Sequence, residues 1–317
     1  SRLEAFCGEN GFRFATDFDP FPEIYADRQA LPLDKVFVHE EQYAGESTQS
    51  KIKKVLDKAA EHGADATLLS ALDEIAWTLN VRCSDVEFNP VTISYAYLSD
   101  TVNVFFVDER KIDADVRAYL KECGVEVAPY DSVEKFLEKI KDATVLLDPN
   151  KTSDTIARSL LNCGTVYAQS PVALLKAVKN DVQIEGTRKA MERDGVALVK
   201  LFMWIEQNVA SGSITEYDVA QKVQEFRAAS PLYRGESFGL IAGYNEHGAI
   251  VHYEPEKETA STLHPEGMLL VDTGGQYLDG TTDITRTVAL GTPTEAQRHD
   301  YTLVLKGHIA LGSMIYP

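Results

Sequence analysis

Residues 268–288 read MLLVDTGGQYLDGTTDITRTV, and they say more about fold and chemistry than any other stretch of this chain. Two apolar runs flank a turn-rich centre, a pattern that predicts a β-hairpin. Each run carries one aspartate, Asp272 and Asp283. In a hairpin folded symmetrically between Tyr277 and Leu278, the two aspartates face each other with Cβ atoms about 5 Å apart.

Two carboxylates this close repel each other unless they share a proton or a cation. Hydrolytic sites with two metal ions hold them about 3.5–4 Å apart, a spacing that such a pair can span. The alternative is that Asp272 and Asp283 are ordinary polar residues of a solvated hairpin. The hairpin therefore predicts a candidate metal site, with both aspartates as ligands.

The segment VDTGGQYLDGTTDITRT resembles the metal-binding hairpin of the pita-bread metallopeptidases, which include methionine aminopeptidase, prolidase and aminopeptidase P. The family holds two divalent ions with two aspartates, a histidine and two glutamates, and Asp272 and Asp283 match the aspartates. GTTDITRT is most similar to the eukaryotic-type, three-domain aminopeptidase P branch, which removes an N-terminal residue when proline is second. The resemblance implies proline-containing peptides as substrates, a homodimer, and Mn²⁺ as the metal, since the ligand set is rich in oxygen.

A second match to the family is GAIVHYEP, residues 248–255. The resemblance makes His252 a catalytic residue that contacts substrate and shuttles protons, and the apolar letters around it predict a strand over 249–253. Phe238 is a candidate for lining the pocket for the substrate's first side chain, with core packing as the alternative. His247 and His264 are expected to be surface residues of loops.

The amino-acid composition and net charge indicate which class of protein this is and which partners it is expected to bind. The chain has 317 residues, 44% of them hydrophobic and 25% charged, as in ordinary globular proteins. Its net charge of −18 opposes binding to nucleic acid or anionic lipid. Four cysteines have no zinc-like or compact disulfide spacing, and no apolar run reaches the roughly 20 residues of a membrane span. A cytoplasmic location is the expectation.

Three segments are expected along the chain, in a fold that combines α/β and α+β parts. Residues 1–42 are interpreted as the remnant of a first N-terminal domain plus a linker. Residues 43–170 alternate helix and strand, which predicts an α/β domain, and the resemblance makes it creatinase-like. Residues 171–317 correspond to the first half of a pita-bread catalytic domain. The remaining metal ligands would lie beyond Pro317, so we expect a chain truncated at both ends and inactive by itself.

The segment SALDEIAWTLNVRCSDVEFNPV, residues 70–91, resembles a signature of the second domain in the same branch. Asp73, Glu74, Arg82 and Asp85 could form an ion network there. The simpler interpretation is helix capping by Asp73 and a structural pair between Arg82 and Asp85.

Two alternative functions stay open. Prolidase shares the hairpin but has one N-terminal domain before the catalytic half. Metal-free pita-bread modules bind peptides without cleaving them, but they lack the aspartate pair.

Overall fold

The computed structural model describes residues 2–15, 18 and 21–316, and the chain forms two compact units, 1–179 and 180–317. The helices of the first unit, α1 to α9, are Arg2–Glu9, Phe21–Ile24, Glu41–Ala44, Thr48–Glu61, Leu72–Leu79, Ala114–Glu122, Val133–Leu137, Asp154–Arg158 and Pro171–Ala177. Its strands, β1 to β8, are Phe37–Val38, Ala66–Leu69, Val81–Arg82, Ser94–Ser99, Asn103–Val107, Val125–Pro129, Thr144–Leu147 and Gly164–Tyr167. Short 3-10 turns cover Glu109–Lys111 and Tyr130–Ser132.

A six-stranded sheet in the order β6-β5-β4-β2-β7-β8 forms the centre of the first unit. β4 runs antiparallel to β2 and β5, whereas the outer pairs are parallel. Successive residues of a strand face opposite sides, so Phe105 packs with α4, α5 and α6 while Phe106 packs with α7 and α8. The predicted mixed α/β layer domain is confirmed.

Helix α9 belongs to the first unit. Val172 is fully buried in the core cluster that also contains Ile52 of α4 and Ile75 of α5. Asn180 then caps the next helix through a reciprocal capping box with Gln183. The unit therefore ends at residue 179, after the boundary at 170 that we expected. Val36 is buried in the same core, and the first-domain origin of residues 1–42 stays a prediction.

The ion network expected within residues 70–91 does not form as such. Asp85 pairs with Lys111, and both side chains are buried. Arg82 donates to the carbonyls of Ala76 and Val81, so the predicted Arg82–Asp85 pair is wrong. Lys111 lies 26 residues from Asp85, so their pairing depends on the tertiary fold and leaves no local pattern.

The other two acids of this segment also pair outside it. Asp73 pairs with Lys176, and Glu74 accepts a hydrogen bond from Ser170 Oγ at 2.6 Å. Ser170 caps the start of α9 and Lys176 lies in its last turn, so these contacts fix both ends of that helix to the first unit. Burial raises the pKa of Glu74, although the hydrogen bond from Ser170 opposes the shift.

The second unit contains helices α10 to α12 and strands β9 to β14. The helices are Asp181–Asn208, Glu216–Ala228 and Glu295–Gly312, and the strands are Tyr233–Glu236, Ile241–Tyr244, Met268–Thr273, Gly275–Tyr277, Gly280–Thr281 and Ile284–Ala289. The strands form two sheets, β10-β11-β14 and β13-β12-β9. Short 3-10 turns cover Val209–Ser211 and Asn245–Ala249.

Helices α10 and α11 cover one face of the sheet β10-β11-β14. Val271 and Leu269 of β11 pack in one buried cluster with Leu201 of α10 and with Val219 and Val223 of α11. Residues of opposite parity on the same strands face the other side, which no residue of that cluster covers. We call this second side the open face. Within residues 2–15, 18 and 21–316, no helix is long and apolar enough to cross a membrane.

Candidate metal and active site

The hairpin predicted over residues 268–288 is present, but its register differs from the expected one. Asp272 pairs with Thr285, and Gln276 pairs with Thr281. Asp272 and Asp283 are therefore diagonal neighbours, and the prediction that they lie directly opposite each other is wrong. Diagonal neighbours still share a face of the sheet, with Cβ atoms about 7 Å apart in place of about 5 Å.

The register is set by the position of the turn. The two-residue turn is Leu278–Asp279, one residue later than a hairpin centred between Tyr277 and Leu278 requires. Asp279 forms a two-point ion pair with Arg193 of α10 at 3.0 and 2.9 Å. A Cβ at Gly186 of the same helix would overlap the Asp279 carbonyl. This contact with a distant helix fixes the turn.

Asp272 lies on the central strand of its sheet, between Ile241 of β10 and Thr285 of β14. Its side chain is half-buried, and its Oδ1 accepts a hydrogen bond from Thr285 Oγ1 at 2.7 Å. Its parity is opposite to that of Val271, which packs on the helices. Asp272 therefore presents its carboxylate on the open face, with one oxygen already held in place.

Asp283 lies where the hairpin passes from one sheet to the other. Neither Asp283 nor Gly274 across the hairpin belongs to a strand. A Cβ at Gly274 would overlap the carbonyl of Thr282, so only glycine permits this close approach. Asp283 is exposed, while the neighbouring Thr282 and Ile284 are buried. Asp283 thus points to the same open face as Asp272.

The two aspartates fit the role of ligands for hard divalent cations. They supply carboxylate oxygens on one face of adjacent strands, which suits Mn²⁺, Mg²⁺ or Ca²⁺. Over the described ranges 2–15, 18 and 21–316, no group of three or more His, Cys, Asp or Glu residues could hold an ion. A metal site built on Asp272 and Asp283 would therefore need further donors to complete its coordination shell.

His252 lies in a turn and is exposed. The predicted strand over 249–253 is wrong. Asn245–Ala249 forms a 3-10 turn, and residues 250–253 form a bend and a turn that pair with no strand. The apolar letters around His252 suggested a strand, yet Ile250 and Val251 are exposed.

The loop that carries His252 folds back over the sheet. Gly248 lies against Gly243 and the Cβ of Leu270, two residues that share the parity of Ile241 and Asp272. Farther along the loop, the Glu254 carboxylate leaves no room for a Cβ at Gly239, just before β10. His252 lies between these two points, on a segment running back towards the end of the sheet that carries Asp272.

One buried carboxylate anchors this loop. Glu216 begins α11 with no exposed surface. It accepts hydrogen bonds from the backbone N–H of Tyr244 at 2.6 Å and of Ser261 at 2.7 Å, and from the hydroxyl of Tyr253 at 2.8 Å. His247 Nδ1 lies 3.0 Å from both of its oxygens. Glu216 thus holds both ends of the His252 loop.

His247 was expected at the surface, but it is half-buried, and its ring lies against Tyr253 in a tilted contact with centroids 4.3 Å apart. The expectation was wrong because Glu216 was missed. The sequence ITEYD reads as an ordinary capped helix start, and an acid in a first turn is usually solvated.

Phe238 lies in a bend between β9 and β10 and is half-buried. It directly precedes Gly239, against which the Glu254 carboxylate packs. The bend is therefore a neighbour of the His252 loop, and the role of Phe238 in substrate binding stays a prediction.

A second buried network lies beneath the hairpin, on the helix side. Arg227 of α11 is 1% exposed and pairs with Asp194 of α10 and with Glu236 at the end of β9. Burial raises the pKa of Glu236, with Arg227 opposing the shift. The Tyr233 hydroxyl donates to Glu236, and the Tyr277 hydroxyl donates to Asp194. Burial and these acidic partners raise the pKa of both phenols.

Two known family models match the chain. Residues 27–183 match the creatinase/prolidase N-terminal domain, and residues 185–317 match metallopeptidase family M24. The chain is thus similar to a creatinase-type domain followed by a domain of metallopeptidase family M24. This confirms the predicted fold class, a creatinase-like α/β domain followed by a pita-bread domain.

The similar M24 proteins include aminopeptidases and a dipeptidase. The chain is 40% identical over 303 residues to a probable Xaa-Pro aminopeptidase P of Aspergillus niger, covering 92% of this chain and 49% of that protein. The structure of an X-prolyl aminopeptidase from Caenorhabditis elegans, described as a cytosolic enzyme with a di-nuclear active site, matches with a TM-score of 0.90 and 29% identity, over 97% of this chain and 52% of that one. The chain thus spans about half the length of these relatives.

A Xaa-Pro dipeptidase from Bacillus anthracis matches with a TM-score of 0.63 and 19% identity, over 83% of this chain and 71% of that one. At this identity the likeness shows the shared M24 fold alone. The fold therefore does not separate aminopeptidases from dipeptidases.

Proposed function

We propose that the complete protein containing this chain is a metal-dependent aminopeptidase that releases the N-terminal residue from peptides with proline in second position. The observation that carries the proposal is the pair Asp272 and Asp283, two carboxylates presented together on the open face of a helix-backed sheet. The 40% identity to an Xaa-Pro aminopeptidase P supports the substrate class.

Each candidate residue has a role in this proposal. Asp272 and Asp283 hold the cations, two divalent ions that we expect to be Mn²⁺. When bound, such ions activate water and polarise the scissile carbonyl. His252 contacts the peptide and moves a proton, a role that histidine fills more often than any other side chain. Phe238 lines the pocket for the first side chain.

The wider setting is proposed on the same basis. The likeness to the cytosolic C. elegans enzyme supports a cytoplasmic location. A net charge of −18 supports peptides, and neither nucleic acid nor membranes, as partners. We also propose a homodimer, and we propose that residues 1–42 are the remnant of a first N-terminal domain plus a linker.

The test compares Arg-Pro-Pro with Ala-Pro as substrates for the complete protein loaded with Mn²⁺. The proposal predicts release of free arginine from the tripeptide. Cleavage of Ala-Pro with Arg-Pro-Pro left intact would assign the protein to the dipeptidases. Binding of both peptides without hydrolysis, in a metal-loaded sample, would indicate a binding module and contradict the proposal.

A further inference from the structure

Two threonines next to the aspartates point away from the open face. Thr273 follows Asp272 and is 0% exposed, and Thr282 precedes Asp283 and is 1% exposed. Side chains alternate along a strand, so each hydroxyl enters the interior of the second unit while its neighbouring carboxylate faces out. The position of each hydroxyl therefore fixes the backbone from which a carboxylate projects.

Both hydroxyls end on one buried ion pair. Thr282 Oγ1 donates to Asp194 Oδ2 at 2.6 Å, and Arg227 Nη1 donates to Thr273 Oγ1 at 2.6 Å. Arg227 also binds Asp194 through Nε and Nη2, at 2.6 and 3.0 Å, and the Gly274 carbonyl at 3.0 Å. One salt bridge between α10 and α11 thus holds both strands of the hairpin at the level of the aspartates.

Thr282 also joins the two strands directly. Its Oγ1 accepts a hydrogen bond from the backbone N–H of Gly275 at 2.8 Å, and its own N–H donates to the Gly275 carbonyl at 3.0 Å. These bonds lie where strand pairing is interrupted beside Asp283. Regular strand pairing is absent here, so the Thr282 hydroxyl holds the backbone at Gly275 in its place.

Burying the Asp194–Arg227 ion pair costs desolvation free energy, so stabilisation of the fold does not account for it. Asp194 and Arg227 are both fully buried, and a buried ion pair contributes little more to stability than apolar residues of the same volume. Ion pairs of this kind are best attested as devices that fix register. Here the groups that the ion pair holds in place are Thr273 and Thr282, the neighbours of Asp272 and Asp283.

We propose that Thr282 and Thr273 are positioning residues that set the spacing of the Asp272 and Asp283 carboxylates through the buried Asp194–Arg227 pair. The inference rests on the proposed role of the two aspartates as metal ligands. It predicts that the affinity for metal depends on hydroxyls that touch neither metal nor substrate. Removing a partner that orients a ligand typically weakens metal binding about 10–100-fold.

The test measures the Kd for Mn²⁺ by calorimetry on the complete protein, well below its unfolding temperature. Thr282→Val, which removes the hydroxyl at nearly constant volume, should raise the Kd about 10–100-fold. Thr282→Ser keeps the hydroxyl and should restore the Kd to within about threefold of the wild-type value. Thr281→Val is the matched control, because Thr281 is exposed and its hydroxyl bonds to the side chain of Gln276.

A hydroxyl that only stabilises the fold should affect the unfolding temperature and not the Kd for Mn²⁺, and Tyr277 provides such a comparison. Tyr277→Phe removes another hydroxyl from Asp194, 3.0 Å away, without touching a neighbour of either aspartate. It should lower the unfolding temperature and leave the Kd for Mn²⁺ unchanged. An equal loss of affinity in Tyr277→Phe and Thr282→Val would overturn the proposal, as would an unchanged Kd in Thr282→Val.

If Thr282→Val does not fold, Thr273→Val decides by the same criterion, since Arg227 keeps its acidic partners there. Asp272→Asn separates the two levels of the account. If it leaves Mn²⁺ binding unchanged, the proposed metal site itself is wrong. If it abolishes binding while both valine variants bind normally, only the positioning role fails.

Discussion

Asp272 and Asp283 differ in their surroundings although the hairpin places both on one face. Asp272 is half-buried and held by Thr285, whereas Asp283 is exposed. Neither carboxylate has a cationic partner closer than 4 Å among the ion pairs of the described residues. Such a pair gains most from a shared cation, because the cation removes the repulsion between the two charges.

Replacing either aspartate by asparagine should remove most bound Mn²⁺ and leave the fold intact. Asparagine keeps an oxygen that accepts the Thr285 hydrogen bond, and it relieves carboxylate repulsion. The free energy of unfolding of the metal-free protein should change by no more than about 0.5 kcal/mol. Elemental analysis and denaturant unfolding check both parts, with exposed Asp300→Asn as the control. Unchanged metal content in Asp272→Asn would refute its role as a ligand.

Lys51 offers a test at the same scale in the first unit. It is 1% exposed, and its Nζ donates to Asn80 Oδ1 at 2.6 Å and to the Trp77 carbonyl at 3.0 Å. Burial, with the nearby charge of Arg82, lowers the pKa of Lys51 from 10.5 to about 7. Between pH 7 and pH 10.5, Lys51 therefore binds its proton more tightly in the unfolded chain than in the folded one.

The free energy of unfolding contributed by Lys51 should therefore increase from pH 7 towards pH 10.5, by at most about 1.4 kcal/mol per pH unit. Lys51→Met removes this dependence. Denaturant unfolding of the wild type and the variant between pH 7 and 10 checks the prediction through their difference. A difference that stays constant over this range would show that Lys51 keeps its proton in the folded state.

At the scale of elements, the His252 loop depends on the start of α11. The loop contains a 3-10 turn and no strand, so its order comes from Glu216 and from contacts with Gly239 and Gly243. A loop held by one carboxylate can be released without disturbing the sheet beneath it.

Glu216→Ala should therefore loosen this loop selectively. It leaves the N–H groups of Tyr244 and Ser261 without their acceptor, and each such buried donor costs about 1–3 kcal/mol. Hydrogen exchange should become faster over residues 244–261 and stay unchanged in β11. Glu216→Gln, which retains one oxygen, should lie between the wild type and Glu216→Ala, and exposed Glu225→Ala should match the wild type. Wild-type exchange in Glu216→Ala would contradict the anchoring role.

The hairpin was predictable from sequence because its apolar runs and turn residues are local signals. Its register was not, since the turn is fixed by Arg193, which lies 86 residues from Asp279. The same holds for the buried charges. Asp194 and Arg227 occur in amphipathic helices, where charged residues normally mark a solvated face, and only the folded unit brings them together beneath Thr273 and Thr282.

At the scale of the whole molecule, the chain joins an α/β unit to a unit that presents the two candidate metal ligands, Asp272 and Asp283. Its charge of −18 favours the recruitment of cations. The described residues supply two carboxylates on one face and no third candidate ligand beside them. The complete protein must therefore bring further donors to this face if the proposed activity is correct.

The most direct test of the account is the location of the metal. Crystals of the complete protein grown with Mn²⁺ should give anomalous peaks for two ions on the open face of the sheet β10-β11-β14. Carboxylate oxygens of Asp272 and Asp283 should lie within about 2.5 Å of these ions. Peaks at another place in the protein, or none under conditions where the enzyme cleaves Arg-Pro-Pro, would contradict the account.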